Sequence, residues 1–292
     1  MNSKEIFKGT MQFPIKLMLL RLASAGVALV LCLVISGISL AVGSANGFFA
    51  GIAISILIYA ILNSVLTNYI GYMFKYGSIY AIMNAYADGE ISPTYFNDSV
   101  DYIKNDFLKP HIYLVVDKAV SAAVKGITRI VNFIIGFLPD NIKNIADLFL
   151  NIYLNYIDEC CLAYSMYHDD QNVAESTCDA LVLYYQNAKG FLMPALKTTL
   201  LVVVVEGGIS LLGFFICMLQ PIVGFILWLL MISVSTPFID HKILCTTVCE
   251  FLEYSFDNEV QYDLYDKLSK IKAFKKIQDK IGNEDWEPAI NM

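Results

Sequence analysis

The chain has 292 residues, 57% of them hydrophobic and only 16% charged, with a net charge of -7 and a mean hydropathy of +0.57. Soluble domains carry about 25% charged residues, and disordered chains lack this much apolar and aromatic material, so both classes are excluded. The acidic balance excludes a nucleic-acid binder, and seven cysteines in a chain of this length do not make a disulfide scaffold.

What remains is an all-α polytopic membrane protein. A spanning helix needs about 20 mostly apolar residues, and segments 16–43, 48–74, 195–219 and 222–248 meet that length. The apolar stretch of the first is longer than the roughly 7–15 residues of a signal-peptide core. It therefore reads as a retained span, although Ala41-Val42-Gly43-Ser44-Ala45 resembles a cleavage site. Segment 112–138 is apolar with a helical period but carries Asp117, Lys118, Lys125 and Arg129, and segment 142–167 carries Lys143, Asp147, Asp158 and Glu159. A charge at the bilayer centre costs about 2.5–3.5 kcal/mol or more. These two segments are either surface amphipathic helices or spans buried within a bundle.

Internal repetition favours spans. Phe13-Pro14, Phe107-Leu108-Lys109-Pro110 and Phe191-Leu192-Met193-Pro194 each precede a long apolar run, and proline costs least at a helix start. Tyr69-Ile70-Gly71, Tyr156-Ile157-Asp158 and Phe238-Ile239-Asp240 follow at matching places. Polar breaks come next, at 88–90, 169–172 and 257–259, and then amphipathic stretches at 95–107, 180–191 and 262–274. The expected architecture is a single membrane domain of about six spans. It comprises three parallel hairpin repeats over 14–107, 110–191 and 194–274, each ending in an amphipathic helix, with a tail over 275–292. The hairpin tips carry only Lys143, whereas the opposite side carries Lys4, Lys8, Lys16, Lys75, Lys104, Lys109, Lys189, Lys197 and the C-terminal lysines. The excess of positive charge puts both termini and the amphipathic helices in the cytoplasm, which leaves the sequon Asn97-Asp98-Ser99 unglycosylated.

No phosphate-binding glycine loop, nucleophile elbow or zinc-protease motif is present, so no catalytic residue and no cofactor is assigned and the protein is not expected to be an enzyme. His241, Cys245 and Cys249 share one helix face, but three ligands spread over about 12 Å of axis do not meet at one ion, and they read as packing. The ionisable residues in or near the spans are more informative: Asp117, Asp158, Glu159, Glu206 and Asp240. Such residues face a cavity or pair with one another. A quaternary ammonium has no N–H and is bound by ring faces beside a negative charge. Tyr69, Tyr72, Tyr156, Tyr164 and Trp228 are the rings available beside those acids. Two plainer readings stand next to this one: Tyr and Trp anchor helices at the interface, and Asp158 pairs with Arg129 or Lys125.

Leu154-Asn155-Tyr156-Ile157, Ala163-Tyr164, the run Glu175 to Leu183 and Gln186-Asn187-Ala188 resemble the C-terminal region of the choline transporter-like family. So do Phe238-Ile239-Asp240, Cys249-Glu250-Phe251, Asp257-Asn258 and Tyr265-Asp266-Lys267-Leu268. The likeness covers about 50–275. It implies a multi-pass carrier of choline, or of an ethanolamine-like cation, moving down its electrochemical gradient. The family has about ten spans and a large extracellular loop, neither of which this chain shows. The expected function is facilitated passage of a small organic cation, bound by Asp158, Asp240, Tyr156, Tyr164, Tyr69, Glu206, Asp117 and Trp228. The alternatives are a non-transporting scaffold or regulatory subunit that binds partners through its amphipathic helices, and a lipid-handling protein; Asp98 and Asp101 have the spacing of an acid pair for such chemistry but read as the solvated face of an amphipathic helix. Membrane lipids and the cation are the expected partners, a second copy of the chain is an open option, and nucleic acid is excluded.

Overall fold

A computed structural model describes residues 1–41, 53–54, 57–58, 60–62, 64, 70–105, 156–168 and 170–279. The expected first two hairpin tips, the segment 112–138, and most of 48–74 and 142–167 lie outside the described residues, as do Tyr69 and Asp117. Every regular element among the described residues is a helix: α1 (Ser3–Gly9), α2 (Gln12–Ala41), α3 (Tyr72–Asp88), α4 (Tyr95–Asn105), α5 (Ile157–Tyr167), α6 (Val173–Gln186), α7 (Ala188–Leu219), α8 (Pro221–Asp257), α9 (Tyr262–Leu268) and α10 (Lys272–Gln278). Three of them hold stretches long and apolar enough to cross a membrane, Gln12–Ile35, Leu200–Leu219 and Ile226–Asp257.

Local chemistry sets the helix starts. The Asn2 carboxamide accepts from the Lys4 and Glu5 amides at 3.1 and 3.0 Å, and Glu5 accepts from the Asn2 amide at 3.1 Å. This reciprocal box satisfies donors that the first turn of α1 leaves open. Asn172 caps α6 by accepting from the Ala174 amide at 2.8 Å. Pro221 opens α8, where its missing N–H has no intrahelical partner to lose. At several places the elements depart from the expectations. α7 begins at Ala188, six residues before the proline expected to open it. The stretch 262–274 is not one amphipathic helix but two, α9 and α10, broken around Ser269–Ile271.

The chain divides into two compact units, one comprising Met1–Thr10, Gly77–Leu200 and Lys242–Met292, the other Met11–Tyr76 and Leu201–His241. In the second unit α7 and α8 are separated by Gln220 alone and fold back on each other. Cys217 lies against Gly224 and Trp228 against Gly213, while Thr236 donates to Glu206 at 3.3 Å. Each of these pairs is equidistant from the turn, within two residues, as an antiparallel hairpin requires. Small residues permit this approach, as is usual between helices in lipid. The outward faces are apolar: Leu33 on α2 is 72% exposed, and Val204, Phe215 and Met218 on α7 are 62–70% exposed. A contiguous surface of this kind is not tolerated against water, and a bilayer covers it. Among the described residues, the protein is a helical membrane protein by this criterion.

The first unit is a conventional apolar core. Leu181, Val182 and Leu183 on α6 are fully buried, together with Phe251 and Leu252 of α8, Leu268 of α9 and Phe274 of α10. α6 is the centre: α5, α9 and α10 all pack on it. A polar tie crosses from α5 to α6, the hydroxyl pair Ser165–Ser176, buried at 2.6 Å. Ser176 also reaches the Val173 carbonyl at 3.2 Å. The two serines are therefore not equivalent. Ser176→Ala strands the Ser165 hydroxyl in the core and is expected to cost about 1–3 kcal/mol of stability, whereas Ser165→Ala leaves Ser176 its carbonyl and costs less. Chemical denaturation of the two variants in detergent measures the difference.

Candidate functional site

In the first unit, α5, α6, the end of α8 and α9 enclose a cleft of about 750 Å³. That volume falls within the 300–1,000 Å³ or so typical of small-molecule sites. One wall comes from the end of α5, where Tyr164 and Tyr167 are one turn apart and His168 follows. The His168 ring lies 4.3 Å from that of Tyr164 and 5.1 Å, edge-on, from that of Tyr167, which in turn lies 4.5 Å from Phe256 at the end of α8. The other wall carries Tyr262 and Tyr265 on α9. The Tyr265 ring packs edge-on against Phe274 at 5.4 Å. Its hydroxyl is hydrogen-bonded to the buried Cys178 thiol of α6.

Between these rings stand three carboxylates. Glu175 and Asp179, one turn apart on α6, line the cleft, and Glu259 lines it from the segment joining α8 to α9. Burial, followed by the negative charge of Glu175, raises the Asp179 carboxyl to about 6. Burial lowers the His168 imidazole, against an opposing pull from Asp170. Among the described residues the cleft is therefore lined by rings and negative charge, with no Lys or Arg on its wall.

A second group of ionisable residues lies in the other unit. Arg21 of α2 and Asp240 of α8 pair at 3.9 Å, with Lys75 and Glu206 within electrostatic reach of Asp240. Counting about 1.5 Å per residue from Gln220, Glu206 lies about 21 Å along its helix and Asp240 about 30 Å along its own. The first depth is inside the hydrocarbon of a bilayer about 30 Å thick and the second is at its edge.

The expected site residues divide between the two units. Tyr164 lines the cleft. Tyr156 and Asp158 stand at the start of α5, outside the cleft wall. Asp240 and Glu206 belong to the ionisable group of the other unit, and Trp228 packs over Gly213 within the α7–α8 hairpin. Tyr69 and Asp117 lie outside the described residues. His241, Cys245 and Cys249 are buried in the packing of α8. Of the acids considered for lipid chemistry, Asp98 accepts from Ser92 and Thr94 at 3.0 and 2.9 Å, and Asp101 pairs with Lys104 at 3.6 Å. Both are occupied by the local structure of α4.

Sequence reasoning missed Glu175, Asp179, Tyr167, His168, Glu259, Tyr262 and Tyr265 as site residues. Part of the signal was present: the pairs 164/167, 175/179 and 262/265 are at helical spacing, each placing two like groups on one face. No protein-family model, curated protein or solved structure matches this chain.

Proposed function

We propose that the protein binds a small organic cation, choline- or ethanolamine-like, and facilitates its passage across a membrane. The observation that carries the reading is the cleft: four tyrosines, a phenylalanine and a histidine surround three carboxylates, with no competing basic side chain among the described residues. Ring faces and negative charge together are what a quaternary ammonium requires. An interior-negative potential would draw such a cation inward by about 2.3 kcal/mol per 100 mV. The likeness to the choline transporter-like family points the same way. The proposal includes six spans in three parallel hairpins, with both termini cytoplasmic. Its supports are the α7–α8 hairpin and the gathering of lysines on the side away from the tips.

The test is uptake of radiolabelled choline by proteoliposomes containing the purified protein. Saturable uptake that quickens with an imposed interior-negative potential is expected. Tyr167→Ala and Glu175→Gln are each expected to weaken it roughly three- to thirtyfold, the range of a desolvated ring–cation or charge contact. Uptake no faster than in protein-free liposomes would end the transport reading.

One observation favours a second reading, a non-transporting scaffold. The Arg21–Asp240 pair joins α2 to α8, and charge pairing of this kind holds helices together without any cargo. On that reading Asp240→Asn lowers thermal stability and leaves cation binding unchanged.

A further inference from the structure

The wall of the cleft between α8 and α9 is a short non-helical segment, 258–261, and a single side chain outside the cleft fastens it. Gln186, the last residue of α6, donates from Nε2 to the Glu259 carbonyl at 3.0 Å. Its Oε1 accepts from the Gln261 amide, also at 3.0 Å. The carboxamide thus grips the backbone on both sides of Val260, as a neighbouring strand would. The Asn258 side chain adds a tie to the Tyr254 carbonyl at 2.9 Å. Asn258, Glu259 and Val260 all line the cleft, whereas Gln186 does not.

A segment without helical or sheet bonds has free φ and ψ at each residue, and holding it costs conformational entropy. Here both gripping bonds come from one residue at the end of a helix whose preceding turn is buried, so their geometry is set by α6 and not by the segment. We propose that Gln186 is a positioning residue of the cation cleft. Its carboxamide holds segment 258–261 against α6, which keeps Glu259 and Val260 on the cleft wall. Release of the clasp lets this wall swing outward and opens the site. The inference rests on the cation reading above and adds the device that keeps the site formed.

The test uses the full chain in detergent, with amide hydrogen exchange and tetramethylammonium affinity measured side by side. Gln186→Met keeps the bulk of the side chain and removes both bonds. Gln186→Glu keeps the acceptor for the Gln261 amide and loses the donor to Glu259. In Gln186→Met, exchange of the Gln261 amide is expected to quicken at least tenfold and tetramethylammonium affinity to fall about tenfold, while exchange in the interior of α6 stays at the wild-type rate. Gln186→Glu is expected to retain protection at the Gln261 amide, a rescue that general destabilisation would not produce. Wild-type exchange rates in Gln186→Met would overturn the proposal, and so would faster exchange with unchanged affinity. Absence of tetramethylammonium binding by the wild-type protein would overturn it through the cation reading, and the exchange data would then show separately whether the clasp exists.

Discussion

Gly224→Ala is expected to destabilise the α7–α8 hairpin by about 1–3 kcal/mol, toward the upper end of what overpacking costs. A Cβ at this position falls against the Cys217 amide nitrogen and 2.6 Å from its Cα. Backbone atoms have no rotamer to escape into, so the helices themselves must separate, and the contacts on either side of the turn loosen with them. Gly213→Ala carries the same sign, because its Cβ meets Trp228 Cδ1 at 2.7 Å and Cβ at 2.8 Å, and a Cβ moves only with its backbone. Gly207→Ala and Gly208→Ala carry the opposite sign. Nothing lies within 4 Å of either new Cβ, and an interior helical glycine costs about 0.5–1 kcal/mol relative to alanine. Thermal unfolding of the four variants in one detergent should therefore rank Gly224→Ala lowest and place the last two at or above the wild type. A Gly224→Ala protein as stable as Gly207→Ala would mean that the helices do not approach at residue 217.

Tetramethylammonium affinity is expected to fall as the pH drops through about 6. Burial, with Glu175 one turn away, lifts the Asp179 carboxyl to about 6, so below that pH the cleft loses one of its negative charges. His168, held low by burial, gains a proton on the same acid side and adds a positive charge. Both changes oppose a cation, and each fully coupled proton limits affinity by up to about tenfold per pH unit. Asp179→Asn is expected to weaken binding about 10- to 100-fold at pH 8, the order of the attraction between unlike charges in a partly desolvated cleft, and to remove most of the dependence near pH 6. Titration calorimetry between pH 5 and 8 measures both. Stability follows the reverse sign. A carboxyl raised by folding is held protonated more tightly in the folded state than in the unfolded one. It therefore penalises folding above about pH 6, and the penalty vanishes as the pH falls below the ordinary carboxylate range. Asp179→Asn should melt higher than the wild type at pH 8 and level with it at pH 4.

The spans were legible because their signal is local. Twenty apolar residues need no partner to declare themselves, and α2, α7 and α8 stand where 16–43, 195–219 and 222–248 were expected. Their ends were not legible in the same way. α8 continues to Asp257 through residues whose mean apolarity falls, because Val248, Phe251 and Leu252 bury one face while Glu253 stays exposed. A hydropathy window averages the two faces and stops too soon. The cleft was hidden for a different reason. Its walls come from 164–179 and from 255–265, and no periodicity links segments so far apart in the chain. Trp228 was drawn toward a binding role by its type alone. The close approach of helices at Gly213 gives it a packing role, and the glycine was the residue that carried that information.

The position of the Arg21–Asp240 pair makes the protein a gauge of membrane thickness. From Gln220 to Asp240, and from Ala41 back to Arg21, each helix offers twenty residues, about 30 Å, before its first charge. A bilayer whose hydrocarbon matches that length leaves the pair among the headgroups. A thicker one draws it into oil and forces tilt or local thinning, each ångström of mismatch costing a fraction of a kcal/mol. Partitioning between lipid phases of different thickness should therefore favour the thinner phase, and Arg21→Leu combined with Asp240→Leu should erase that preference.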